Sequence, residues 1–193
     1  MSQLLIILFI TNSTIINAAV PHANGILEEH GLPLRLARYR QSTARAPLPR
    51  GLIRLHSINS DTNGLYGYTN LSSYCTASTD IYIIPANIPT RLLLAHVIIH
   101  ELLHTFGIEH SGRPNELMSQ AVQPSGCQVL PLDDISKERV LEYARRRPEC
   151  FSEGVAPPVA HSMCITSKQL FALAATLTPY LFFSIILDYY NIQ

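Results

Sequence analysis

Apolar residues crowd three parts of the chain: Leu4–Ile10 together with Ile15–Val20, Leu92–Phe106, and Leu170–Leu187. Between them the pattern alternates or breaks. Leu34 to Arg40 alternates apolar with basic residues, the period of a half-buried strand. Leu52 to Ile58 reads as a second strand, and Asp80 to Ile84 as a short buried strand stopped by Pro85. Residues 22–30 suit a short helix ending at Gly31. Arg45 to Arg50 is punctuated by proline and reads as a turn. Residues 59–78 are rich in Asn, Gly, Ser, Thr and Tyr and read largely as loop. Pro89 and Thr90 can start a helix that Gly107 ends. Its apolar residues recur on nearly every side, so that helix lies inside the protein.

The two apolar ends read differently. The first is too short to span a bilayer and is followed by small residues, the layout of a signal peptide over residues 1–19 with cleavage expected after Ala19; a buried N-terminal strand would fit the same residues. The last, residues 170–187, has no charge over eighteen residues and lies between Lys168 and Asp188. A spanning helix needs about 20 such residues, so this run is a candidate membrane anchor. A lipid-anchor signal with attachment at Ala160 or Ser162, or a core helix, would fit the same residues. The body between them is a single domain over 20–150, with a proline-rich linker over 151–169.

Composition narrows the function. Apolar residues make up 47% and charged residues 15% of the 193, which excludes a disordered chain. Lys+Arg and Asp+Glu each number 14, so no net field attracts nucleic acid. Six arginines and no acid lie between Gly31 and Ser60, the pattern of a solvated sheet face. Cys75, Cys127, Cys150 and Cys164 form no C-x-x-C pair, which argues against a cysteine zinc site or a thioredoxin-type motif. In a secreted chain they suggest two disulfides, with three connectivities open. Asn70-Leu71-Ser72 is a glycosylation sequon that fits the same setting.

Ionisable groups inside the buried helix need partners, and they define the chemistry. The run is His100-Glu101-Leu-Leu-His104-Thr-Phe-Gly107-Ile-Glu-His110, or H-E-x-x-H-x-x-G-x-x-H. Residues four apart lie on one helix face, so His100 and His104 can reach one zinc ion. A third ligand cannot come from the same continuing helix. Gly107 can take a left-handed conformation and reverse the chain, which lets His110 approach from another side. Three protein ligands leave a position for water, the mark of a catalytic zinc. Glu101, one step along the helix, can point beside the metal without binding it and serve as the general base. Five fixed positions at ~5% each recur by chance in fewer than about one chain in ten thousand of this length. His96 lies four residues before His100 and is read as a core or supporting histidine. His22, His30, His56 and His161 have no partnered spacing.

This segment resembles the zinc-binding signature of the metzincin metallopeptidases, and its His110-Ser111 pair and short spacing to Met118 resemble the matrixin branch. The resemblance implies an α+β, zincin-like fold: a small mixed β-sheet, a long active-site helix, and a C-terminal helix after a methionine turn at Asn115–Ser119. Pro131–Ile135 with Ser136–Arg147 is similar to the matrixin last helix. Asp133 would be its N-cap, and Arg145, Arg146 and Arg147 suit its negative end. It further implies a monomeric, secreted or surface-anchored zinc endopeptidase, with one catalytic zinc on His100, His104 and His110, Glu101 as base, and a protein or peptide substrate along an edge strand near Tyr66–Asn70. The alternative is a catalytically silent, surface-anchored binding module that keeps the fold. The chain departs from the matrixin pattern in places. No cysteine precedes Cys75, so a cysteine-switch latency is not expected. Only Asp61 and no histidine lies between Asn59 and Asp80, so no structural zinc is expected. Ser119-Gln120-Ala121 stands where matrixins carry Pro-x-Tyr, and no tyrosine offers a fifth ligand.

Overall fold

The computed structural model describes residues 4–40, 48–59, 64–69, 75, 79–121, 128–152 and 157–160. Five strands and three α-helices make up the described fold: β1 (Leu5–Ile10), α1 (Thr14–Glu29), β2 (Leu34–Arg38), β3 (Ile53–Ser57), β4 (Gly67–Thr69), β5 (Thr79–Ile83), α2 (Arg91–Thr105) and α3 (Asp134–Arg146). The sheet order is β2-β1-β3-β5-β4. β1, β2, β3 and β5 run parallel, while β4 pairs antiparallel with β5 at one edge. The sheet is therefore mixed.

The segment expected as a leader is, in this structure, β1 and the start of α1. Leu5–Phe9 pair with Leu34–Arg38, and Phe9 and Ile10 pair with Ile53 and Arg54. Ile6, Ile7 and Phe9 are buried. An inner parallel strand is covered on both faces and so reads as a continuous apolar run. Composition cannot tell that from the apolar core of a signal peptide. α1 starts eight residues earlier than expected because the Ser13 side chain caps it, accepting from the Ile16 N–H at 3.3 Å. The helix continues through Pro21, which forgoes one helical hydrogen bond. Asn24, fully buried in α1, closes the outer edge of β2. Its Oδ1 accepts from the Leu36 N–H at 2.7 Å and its Nδ2 donates to the Leu36 carbonyl at 3.1 Å.

The core joins Ile7, Phe9, Leu34, Leu36, Ile53, Leu55, Ile81 and Ile83 of the sheet with apolar residues of α1 and α2. α1 packs on α2 and on β2, and α2 packs behind β4 and β5. Not all the arginines lie on a solvated face. Arg35 is buried, donating to the Leu34 carbonyl at 2.7 Å and pairing with Glu28. Arg54 and His56 both meet Asp80, at 2.8 and 2.7 Å. The acids come from α1 and β5, beyond the all-basic window.

Cys75 and Cys150 form a disulfide, and Ser152 pairs with Ile6 beside β1. Cys127, Cys164, the sequon at Asn70 and the apolar run over 170–187 lie outside the described residues. The chain divides into one unit over Met1–His161 and a second over Ser162–Gln193, which also lies outside them. Among the described residues no helix is long and apolar enough to cross a membrane.

Candidate metal centre

α2 carries the first two histidines of the signature. The Thr90 side chain caps its start, accepting from the Leu93 N–H at 3.2 Å. At its end Gly107 sits at φ +78, the Gly107 N–H donates to the His104 carbonyl, and the Ile108 N–H donates to the Leu103 carbonyl. This is a Schellman turn, which needs a residue free to adopt positive φ. It turns the chain so that His110 comes back toward the helix. A second turn follows, with Asn115 also at positive φ and the Ser111 N–H donating to the Met118 carbonyl at 2.7 Å.

These two turns fix the imidazoles. His100 Nδ1 lies 2.7 Å from the Leu117 carbonyl, and His104 Nδ1 lies 2.6 Å from the Ile108 carbonyl. A carbonyl only accepts, so both Nδ1 atoms carry the proton and both Nε2 atoms present a bare lone pair. Those Nε2 atoms lie 3.1 Å apart, and His110 Nε2 lies 3.2 Å from the first and 3.1 Å from the second. The His100 and His104 nitrogens cannot hydrogen-bond to each other, having no proton between them. Two facing lone pairs at that distance repel unless a cation lies between them. Three ligands each 2.0–2.1 Å from one tetrahedral zinc ion are about 3.3–3.4 Å apart, so the observed triangle fits within a few tenths of an ångström. Among the described residues, His100, His104 and His110 form a group able to hold a metal ion.

Burial keeps His100 and His104 neutral. It pushes the His100 imidazole down to about 4 and holds His104 below its ordinary value. Neutral imidazole is the form that binds metal. The opposite holds for Glu101, whose carboxyl burial pushes up to about 7. Glu101 is 5% exposed, and its Oε2 has no hydrogen-bond partner. A buried carboxylate oxygen without a partner is costly and marks a group held for chemistry or for a ligand. Glu101 and the three histidines line one cleft of about 640 Å³. Its other walls are Gly64–Thr69, Val97, Glu109, Gln120 and Ala121.

No family model matches the chain, and no curated protein does. Among solved structures the chain is similar to the crystal structure of archaemetzincin from Methanopyrus kandleri, at 14% identity. That match covers 73% of this chain and 94% of the other, with a TM-score of 0.45. The geometry of the histidines stands independently of that likeness.

The remaining candidates fall into place around this centre. His96 is fully buried and satisfied at both nitrogens: Nδ1 donates to the Leu92 carbonyl at 2.8 Å, and Nε2 accepts from the Leu130 N–H at 3.1 Å. It holds the chain ahead of α3 and is not in the histidine group. Met118 is 1% exposed and follows Leu117, whose carbonyl orients His100. Asp133 caps α3, accepting from the Ser136 N–H at 2.9 Å. His56 stacks on Tyr82, and Tyr82 on Tyr68, across β3, β5 and β4. The carbonyls of Leu117 and Ile108 and the side chain of Glu109 were not singled out from the sequence. Carbonyls leave no mark in a sequence, and Glu109 reads there as one more exposed acid.

Proposed function

We propose that this chain is a zinc-dependent peptidase that hydrolyses peptide bonds within proteins. The observation that carries this reading is the convergence of three Nε2 atoms on one point, with His100 and His104 locked in the metal-binding tautomer. The residues fit zinc, because the donor set is all imidazole and burial holds His100 and His104 in the neutral form. A zinc ion held there would supply Lewis acidity toward a carbonyl oxygen and would acidify water. The chain's own groups do the rest. Glu101 accepts a proton from the attacking water at its carboxylate and returns it to the leaving amine. The Nδ1–H bonds to Leu117 and Ile108 stop the imidazoles from rotating and keep them basic.

β4 supplies the bed for the substrate. Among the described strands it lies at one edge of the sheet, and it forms one wall of the cleft. Gly67 lets it lie close to α2: a Cβ there would come within 2.9 Å of the Tyr82 carbonyl and 3.2 Å of Val97 Cγ1. An extended peptide can add to that edge by main-chain hydrogen bonds. The test is cleavage of a peptide library by the zinc-loaded full chain. Cleavage that stops with a chelator and in Glu101→Gln, while Glu101→Gln keeps its zinc, supports the reading. A zinc-loaded chain that cleaves nothing favours a silent binding module.

A further inference from the structure

Among the described residues the cleft contains one charged side chain that the proposed chemistry does not use. Glu109 precedes His110, is exposed, and lines the same wall. It makes no hydrogen bond or ion pair among the described residues. Among the described residues no lysine or arginine lines the cleft. Among the described residues the lining carboxylates are Glu101 and Glu109, and of these only Glu101 is buried. A peptide laid along β4 passes the histidine cluster, and His110 and Glu109 are consecutive in the chain. A substrate cation bound next to the reacting centre would thus meet Glu109 and, among the described residues, no competing positive side chain. A substrate acid would meet repulsion.

We infer that Glu109 is a specificity residue, selecting peptides that place an ammonium or guanidinium group beside the scissile bond. This rests on the peptidase reading of the same cleft. Two sources share that chemistry: a lysine or arginine side chain within the peptide, and the free α-amine of its first residue. The first makes the chain an endopeptidase with a basic preference. The second directs it to chain ends.

Binding separates this inference from catalysis. Zinc-loaded Glu101→Gln is titrated, by fluorescence anisotropy at low salt, with three sets of short labelled peptides. The first set is acetylated and neutral. The second is acetylated, with one lysine moved through each position. The third is neutral with a free α-amine. At least one register of the second set, or the third set, should bind about 2- to 5-fold tighter than the first, the worth of a partly exposed ion pair. The gain should disappear in Glu101→Gln/Glu109→Gln, reverse in Glu101→Gln/Glu109→Lys, and shrink as salt rises. Which set shows the gain identifies the source of the cation. Equal binding of all sets, a gain that survives Glu109→Gln, or no binding of any peptide overturns the inference. If the wild-type chain cleaves nothing while this selectivity is seen, the peptidase reading fails and the role of Glu109 stands.

Discussion

Replacing Glu101 by glutamine should make the metal-free protein more stable while removing its activity. The carboxyl is 5% exposed, lacks a partner at Oε2, and has its pKa raised by burial from 4.5 to about 7. The sign follows from proton counting. Between pH 4.5 and 7 the folded state holds a proton that the unfolded state has lost, so stability falls as pH rises through that window. Above pH 7 the full penalty applies, about 2.5 pKa units or at most ~3 kcal/mol at 1.36 kcal/mol per unit. A glutamine amide in the same place also lacks a partner, and that returns about 1–3 kcal/mol. The net effect of Glu101→Gln should then be a gain of about 1–2 kcal/mol at pH 8 that turns into a loss of about 1–2 kcal/mol below pH 4.5, the two ends differing by the full ~3 kcal/mol.

For a chain of this size ~1 kcal/mol moves the melting temperature by about 2–4 °C, so the variant should melt about 2–8 °C higher at pH 8 in chelator. The difference between variant and parent should grow from pH 5 to pH 8. Zinc should shrink it, because a nearby cation favours the carboxylate. Turnover should fall by about 10²–10⁴. A melting difference that is flat with pH, or a variant less stable than its parent at pH 8, would show that Glu101 is not held at a cost and would refute the reasoning.

Three further outcomes follow from the same structure. His110→Ala and His104→Ala should each lose zinc on dialysis, measured by metal analysis, because each removes one of three ligands; full retention in either would break the proposed ligand set. Removing residues 1–19 should leave an unfolded chain by circular dichroism. It takes out β1 with Ile7, Phe9 and Ile16, whose burial contributes roughly 1.5–3 kcal/mol each against a total stability of about 5–15 kcal/mol. A cooperative melt in the truncated chain would show that β1 is dispensable. Met118→Leu nearly conserves volume and should cost under about 1.5 kcal/mol with zinc kept; zinc loss would give Met118 a role beyond packing.

The parts of the fold legible in the sequence are those where a side chain dictates the backbone. Thr90 caps α2 through its own oxygen, and Gly107 ends it because few other residues tolerate φ +78. Asp133 starts α3 in the same way. β2 follows from its alternation of apolar with basic residues, and β3 and β5 from short apolar runs, the latter stopped by Pro85. What was not legible depends on neighbours distant in the chain. β1 is apolar because two strands flank it, and in isolation its residues match a leader. α1 runs through Pro21 because packing on α2 and β2 outweighs one missing hydrogen bond. β4 is three residues in a Gly- and Tyr-rich loop, and its place comes from Gly67 fitting against Tyr82 and Val97.

The metal centre shows the same division within one site. Its ligands are side chains, so residue type and spacing announce them. The groups that make them work as ligands are the backbone carbonyls of Leu117 and Ile108, which any residue could supply. What those positions demand is a path, not an identity: a turn after Gly107 tight enough to bring Ile108 to His104, and a second turn, through Asn115, that brings Leu117 to His100. Both carbonyls lie on the segment that also carries His110 and Met118. One stretch of chain, residues 107–118, thus sets the tautomers of two ligands and delivers the third. Substitutions that alter its path, at Gly107 or Asn115, should therefore weaken metal binding as a unit without touching any ligand.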